Sequence, residues 1–197
     1  MSAFPTPFRR RVRDCLDGAS ASAYCRLVSA SDHASDRDPD LAYIAGLVRV
    51  RAAAGALIRD DAGRVLLVRP TYKETWDIPG GSLERDESPR AACVRELAEE
   101  LSITPEIGPL LCVDWVPPLP PWDGGLIFVF DGGVLSAEDV ADIRLPPDEL
   151  DRFAFVAADD LDDLVRPAMA RRLRACLETR ERGGLYLEDG FRTPRGS

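Results

Sequence analysis

The sequence predicts an α/β fold in which a mixed β-sheet lies between two layers of helices. Short apolar segments with strand character recur along the chain, and two longer segments have the apolar periodicity of amphipathic helices. The two kinds of segment are interleaved. Strands and helices that alternate in this way favour an α/β/α sandwich, with helices on both faces of one sheet.

The chain has 197 residues, which suits one globular domain with additional terminal segments. Residues 1–40 are rich in Ala, Ser and Asp and show no sustained apolar period, so we predict a mobile or weakly helical extension. It contains His33, the only histidine, for which we expect no metal or catalytic role. The folded domain is predicted over residues 41–184, and residues 185–197 form a tail that the pattern does not place.

The charge and the cysteines restrict the class of protein. Acidic residues number 34 against 25 Lys and Arg, a net charge of −9, so nothing electrostatic favours binding to nucleic acid or to an anionic membrane. No apolar run approaches the ~20 residues of a membrane span and no secretory signal is visible, so we expect a cytoplasmic protein with small-molecule substrates. Reduced, mostly buried thiols are expected at Cys15, Cys25, Cys93, Cys112 and Cys176.

The first part of the predicted domain reads as a hairpin. Residues 41–50 suit a short helix or strand, and apolar segments at 52–59 and 65–68 are strands joined by an Asp-Asp-Ala-Gly turn. In the loop that follows, Arg69 and Lys73 are candidate phosphate contacts, with an ordinary exposed position as the alternative.

A helix is predicted over residues 89–101. Ser88 can cap it, and Pro89 suits the first helical position because its missing N–H is no loss there. The predicted core stripe is Ala91, Val94, Leu97, Ala98 and Leu101. The opposite, acidic side holds Glu96, Glu99 and Glu100. Carboxylates at this spacing repel one another unless a cation lies between them, so the face is either a Mg²⁺ platform or a solvated surface.

Further strands and one long helix follow. Strands are predicted at 110–115, 126–130 and 153–156, with short helical turns near 138–142 and 159–164. A second long helix, predicted over residues 167–182, should cover the face of the sheet opposite the first helix.

Two tryptophans lie within or next to a proline-rich segment. The proline-rich residues 116–125 cannot continue a β-ladder and should form an exposed loop. Trp115 is a candidate for stacking on a substrate ring, and Trp122 is the alternative. Trp76 is expected to be a packing anchor beneath the Pro79-Gly80-Gly81 turn.

Residues 81–103 resemble the Nudix box, whose form is G-x5-E-x7-R-E-U-x-E-E-x-G-U with U a bulky aliphatic residue. The matching residues are Gly81, Glu87, Ile103 and the run Arg95-Glu96-Leu97-Ala98-Glu99-Glu100-Leu101. Ser102 stands where the family has glycine, at the helix exit, where a left-handed conformation is normally required. The family's preceding loop is similar to Trp76-Asp77-Ile78-Pro79-Gly80-Gly81.

The resemblance implies a Nudix-type fold and a metal site. By position, Glu96, Glu99 and Glu100 would hold Mg²⁺, with Mn²⁺ as an alternative. One of them, or an acid outside the box such as Glu149, would deprotonate the attacking water. Hydrolysis of a nucleoside diphosphate linked to another moiety is the implied reaction.

The remaining box residues would support this site. Glu87 and Arg95 would form a pair that braces the box. Gly80 and Gly81 would let the backbone approach metal and phosphate closely, because a Cβ would obstruct both.

The substrate stays open between a nucleotide sugar such as ADP-ribose and a nucleoside triphosphate. A non-catalytic module that senses nucleotides is the alternative function, although such modules tend to lose the box acids that this chain keeps. Homodimerisation is a further expectation that the resemblance carries.

Overall fold

A computed structural model describes residues 41–193, apart from the side chain of Ala42. The described residues divide into two units between Val48 and Arg49. In the first unit, helix α1 spans Leu41–Gly46, within the segment predicted as a short helix or strand. The predictions for residues 1–40, including His33, Cys15 and Cys25, lie outside the described residues.

The second unit is built on an eight-stranded mixed sheet with the order β6-β2-β1-β5-β4-β7-β8, and β3 also pairs with β1. The pairs β1–β5 and β4–β7 are parallel and the other pairs are antiparallel. The strands are β1 Arg51–Arg59, β2 Val65–Pro70, β3 Gly80–Ser82, β4 Leu110–Val116, β5 Gly125–Val134, β6 Leu150–Val156, β7 Leu185–Glu188 and β8 Phe191–Arg192. The mixed sheet predicted from the sequence is confirmed.

Helices cover both faces of this sheet. They are α2 Pro89–Leu101, α3 Ala137–Asp142, a 3₁₀-helix Ala158–Asp163 and α4 Pro167–Thr179. Alternate residues of β2 enter different cores: Leu67 packs in the cluster that contains Leu173 of α4, and Leu66 packs in the cluster that contains Leu97 of α2. The α/β/α sandwich is therefore confirmed. Among residues 41–193, none of the helices has the length and apolar character that a membrane crossing requires.

Helix α2 begins and ends where the sequence predicts. The Ser88 hydroxyl accepts the N–H of Ala91 at 3.2 Å, and Pro89 occupies the first helical position. At the other end Ser102 takes the left-handed conformation with φ of 58°, and its N–H donates to the carbonyl of Ala98. Serine thus adopts the conformation that glycine takes more easily.

The buried face of α2 differs from the prediction. The buried residues are Ala92, Cys93, Leu97 and Leu101, whereas Ala91, Val94 and Ala98 of the predicted stripe are exposed. Val94 is 38% exposed. Glu96 and Glu100 are partly buried instead, because the helix turns this edge toward β3, where Glu100 accepts the N–H of Gly80 and Glu96 lies against Gly81. The predicted opposition of acidic and core faces is wrong for these two glutamates.

Two further differences concern the sheet. Strand β5 continues to Val134, beyond the predicted end at residue 130, since β1 continues to pair with it in parallel. Residues 185–193 add β7 and β8 to the sheet edge, in the stretch treated as a tail. They are attached through the buried Asp114, which accepts the N–H of Gly190 at 3.0 Å and pairs with Arg172 at 2.6 Å.

Candidate active site

Two adjacent glycines, Gly80 and Gly81, begin strand β3 beside helix α2 and are named the glycine turn here. Strand β3 pairs with β1 so that Gly81 lies opposite Ala54 and Gly80 opposite Gly55. Gly80 has φ of 142°, and a Cβ there would overlap the β1 backbone; a Cβ at Gly81 would overlap the Glu96 carboxylate. Glycine is therefore required at position 80, where the β1 backbone leaves no space for a Cβ, whereas a side chain at position 81 would have to displace the Glu96 carboxylate.

Two glutamates of α2 face this turn. Glu100 Oε2 accepts the N–H of Gly80 at 2.8 Å, and Glu96 lies directly against Gly81. Their spacing of four residues places both on one side of the helix. The arrangement brings two carboxylates to a backbone surface that a ligand can approach closely.

Arg95 joins the other box acids into one network. Its Nε and Nη2 donate to the two oxygens of Glu87, each at 3.0 Å, and its Nη1 donates to Glu96 and to Glu99, each at 2.9 Å. Nη2 also donates to the carbonyl of Ser82 at 3.1 Å, which attaches the helix to the end of β3. The forked guanidinium therefore holds Glu96 in position while Glu87 anchors the arginine.

The predicted metal set divides into two parts. Glu96 and Glu100 adjoin the glycine turn, whereas the Glu99 side chain is 56% exposed and points outward with Arg95. Within residues 41–193, no three His, Cys, Asp or Glu side chains stand close enough to enclose a metal ion. Two carboxylates do fit Mg²⁺, which is commonly bound by one or two carboxylates, water and the phosphates of a substrate.

Burial and crowding of negative charge shift the titration of these acids. Burial raises the pKa of Glu100 to about 8, and the charges of Glu96, Glu149 and Asp77 add to this, while the bond from Gly80 opposes it. Burial also raises the pKa of Glu96, against the effect of its hydrogen bond with Arg95. A divalent cation would relieve this concentration of charge, so the donor set matches such an ion.

Glu149 belongs to the same acidic region although it lies outside the box. It is exposed, and its charge raises the pKa of both Glu96 and Glu100. Its backbone carbonyl accepts the N–H of Thr71 at 2.9 Å, which fixes the loop before β6 to the end of β2. This places the acid, which the sequence analysis named as a candidate, beside the box helix.

The predicted cationic contacts have acidic partners. Arg69 pairs with Asp151, and Lys73 pairs with Asp77. Their positive charges are thus largely offset within the protein. Trp76 packs against the apolar core.

Two adjoining cavities extend from the glycine turn. One, of about 240 Å³, is lined by Gly80 and Gly81. The second, of about 440 Å³, is lined by Trp122 and Pro117, and Trp115 lines neither. Arg166 and Tyr72 line both. Sequence reasoning missed Arg51, Tyr72 and Arg166, since nothing in their local pattern signals that distant segments meet here.

Comparison with known proteins agrees with this geometry. The model of the NUDIX domain matches residues 49–177. A MutT-like protein of Streptomyces ambofaciens is 42% identical over 59 residues, 30% of this chain and 38% of that protein. An RNA pyrophosphohydrolase of Roseobacter denitrificans is 34% identical over 77 residues, 37% of this chain and 48% of that protein. The chain thus spans less than half the length of these curated relatives.

The crystal structure of a MutT protein from Methanosarcina mazei Go1 superimposes with a TM-score of 0.56 at 26% identity. The superposition covers 69% of this chain and 99% of that one. Because the NUDIX domain model matches more than half of this chain, residues 49–177, the chain belongs to the NUDIX family.

Proposed function

We propose that this protein is a divalent-metal-dependent hydrolase that cleaves the diphosphate linkage of a nucleoside diphosphate derivative. The observation that carries the proposal is the approach of Glu96 and Glu100 to the Gly80–Gly81 turn, where no side chain separates the carboxylates from the backbone. One of the similar proteins is an RNA pyrophosphohydrolase, which supports the same reaction class.

Each box residue has a definite task in this reaction. Glu96 and Glu100 would hold Mg²⁺, which supplies Lewis acidity and neutralises phosphate charge. Arg95 keeps Glu96 oriented through a 2.9 Å hydrogen bond, and Glu87 holds Arg95 with two more. The cavity of about 240 Å³ lined by Gly80 and Gly81 leaves room for the diphosphate beside this turn.

The attacking water needs a carboxylate that accepts its proton. Glu149 suits this task because it is exposed, lies near enough to raise the pKa of both box acids, and is not one of the two proposed metal ligands. Glu100 is the alternative only in a state in which it does not bind the metal, because its raised pKa of about 8 belongs to the metal-free protein. Comparison of the pH profiles of Glu149→Gln and the wild type would separate the two, because only loss of the base removes the rise of activity with pH.

The experiment that tests the function is product analysis with Mg²⁺ over a panel of nucleoside triphosphates, nucleotide sugars and 5′-triphosphorylated RNA. We expect a nucleoside monophosphate, pyrophosphate or phosphate to be released from at least one of them. Glu100→Gln should lower turnover by orders of magnitude, and Glu106→Gln, at an exposed loop position, should leave it unchanged. If no substrate is cleaved, or if Glu100→Gln keeps its metal-dependent turnover, the proposal is wrong.

A further inference from the structure

The larger cavity has an unusual charge for this protein. The chain carries a net charge of −9, yet no carboxylate of residues 41–193 lines the 440 Å³ cavity, whereas Arg51, Lys73 and Arg166 all do. Lys73 is paired with Asp77. Arg51 and Arg166 form no ion pair with any acid of residues 41–193. The cavity therefore holds two positive charges that the described part of the protein leaves uncompensated.

Trp122 forms an aromatic wall of this cavity. Its ring is 61% exposed, and the Arg51 guanidinium lies 5.0 Å from the ring centroid. Arg51 Nε also donates to the carbonyl of Asp123 at 3.2 Å, which fixes the arginine beside the loop. Two backbone hydrogen bonds between Leu119 and Trp122, at 2.8 and 3.0 Å, close that loop. The indole is thus held in place while part of its surface stays free.

The distance along β1 matches the length of a nucleotide. Arg51 lies three residues before Ala54, and Ala54 pairs with Gly81. Because a strand rises about 3.3 Å per residue, Arg51 lies about 10 Å along β1 from the position opposite Gly81. A ribose and its attached diphosphate can bridge that span. Arg166 lines both cavities and so lies between the aromatic wall and the glycine turn.

We propose that the larger cavity binds the nucleoside half of the substrate, with the base stacked on Trp122 and with Arg166 binding the phosphates that lead to the Gly80–Gly81 turn. This assignment rests on the proposed hydrolase function and makes the phosphate contact Arg166 instead of Arg69 or Lys73. Aromatic stacking accepts every base, whereas the guanidinium forms its strongest, bidentate hydrogen bonds with anionic groups such as phosphate.

Binding of uncleavable analogues to the full chain with Mg²⁺ tests the proposal. The probes are the α,β-methylene analogues of ADP, GDP, CDP and UDP, and methylenediphosphonate as the diphosphate without a nucleoside. We expect the nucleotides to bind more tightly than methylenediphosphonate and to quench tryptophan fluorescence. Trp122→Ala should weaken nucleotide binding by about 5- to 150-fold without affecting methylenediphosphonate, and Trp122→Phe should restore most of the loss.

Arg166 is tested separately. Arg166→Gln should weaken the binding of both the nucleotide analogues and methylenediphosphonate by about 10-fold or more, and Arg166→Lys should recover part of this loss. The matched control is Arg182→Gln, at an exposed arginine that lines neither cavity. Circular dichroism checks that each variant is folded. Equal binding of nucleotides and methylenediphosphonate to the wild type, or an unchanged advantage of nucleotides in Trp122→Ala, would overturn the proposal.

The two proposals fail in different ways. If the wild type cleaves nucleotides but binds them equally well without the Trp122 ring and the Arg166 charge, only the cavity assignment falls. If it binds nucleotides through these residues yet cleaves nothing on the substrate panel, the hydrolase proposal falls and the cavity assignment stands.

Discussion

Replacement of Glu100 by glutamine has opposite expected effects on stability with and without metal. Without metal, the pKa of Glu100 is raised from 4.5 to about 8, so ionisation of this carboxyl is less favourable in the folded protein than in the unfolded chain. Its contribution to stability is complete below about pH 4.5 and is lost as the pH rises through about 8. Glutamine has no such charge and can still accept the Gly80 N–H.

The size of the effect follows from the shift. One pKa unit corresponds to about 1.36 kcal/mol. The shift of the Glu100 pKa therefore limits the destabilisation that its ionisation causes above pH 8 to roughly 4 to 5 kcal/mol. Structural relaxation and the new amide N–H₂ group reduce this. We therefore expect the free energy of unfolding of metal-free Glu100→Gln to exceed that of the wild type by about 1 to 3 kcal/mol at pH 9. At pH 5 the two should differ by less than about 1 kcal/mol.

Urea denaturation at several pH values, with EDTA and then with Mg²⁺, measures these differences. Saturating Mg²⁺ at 100 times its dissociation constant should stabilise the wild type by about 2.7 kcal/mol and the variant much less. Glu106→Gln, at an exposed position, serves as the control and should show neither effect. A metal-free Glu100→Gln that is less stable than the wild type by the same amount at every pH would refute the reasoning.

Three other substitutions test separate parts of the structure. Gly81→Ala should lower kcat by about 10- to 100-fold in steady-state assays, because its methyl group displaces the Glu96 carboxylate. Ser102→Gly should be more stable to urea than Ser102→Ala by about 1 kcal/mol, since only glycine relieves the left-handed conformation at φ of 58°. Asp114→Asn should cost about 3 to 5 kcal/mol in urea denaturation, because it leaves the buried Arg172 charge without its partner.

Each of these has its own contrary result. Unchanged kcat in Gly81→Ala would mean that the Glu96 carboxylate need not lie against the turn. Equal stability of the two Ser102 variants would mean that the helix exit carries no backbone strain. For Asp114 the control is Asp162→Asn, which breaks an exposed pair with Arg174 and should lower the free energy of unfolding by less than about 1 kcal/mol. Similar losses of stability at both sites would contradict the special role of the buried pair.

Local signals predicted the parts of the fold that depend on neighbouring residues. Ser88 and Pro89 set the start of α2, and the turn after β1 set the first hairpin, because capping and turn formation involve groups a few residues apart. The box motif named Glu96, Glu99 and Glu100 as one group, and the fold brings the first and the third to the glycines while Glu99 stays exposed.

Long-range partners could not be predicted in the same way. Arg69 and Asp151 are 82 residues apart, so the sequence does not reveal that this cation is paired within the protein. The rotation of α2 that exposes Val94 depends on the contact of Glu96 and Glu100 with β3, which an isolated helical wheel does not include.

The larger cavity depends on the same kind of long-range contact. Arg51, Trp122 and Arg166 come from three distant segments that the sheet brings together. The proline-rich loop indicated Trp122 as a stacking candidate, whereas neither arginine has a local pattern that distinguishes it from other arginines.

The central claim is that Glu96 and Glu100 form a divalent-cation site at the Gly80–Gly81 turn. Calorimetric titration of Mg²⁺ into the protein saturated with α,β-methylene ADP measures this most directly. We predict binding to the wild type and to Glu106→Gln, and binding that is at least tenfold weaker in Glu96→Gln and Glu100→Gln. Wild-type affinity in both site variants, or no Mg²⁺ binding to the wild type, would contradict the account.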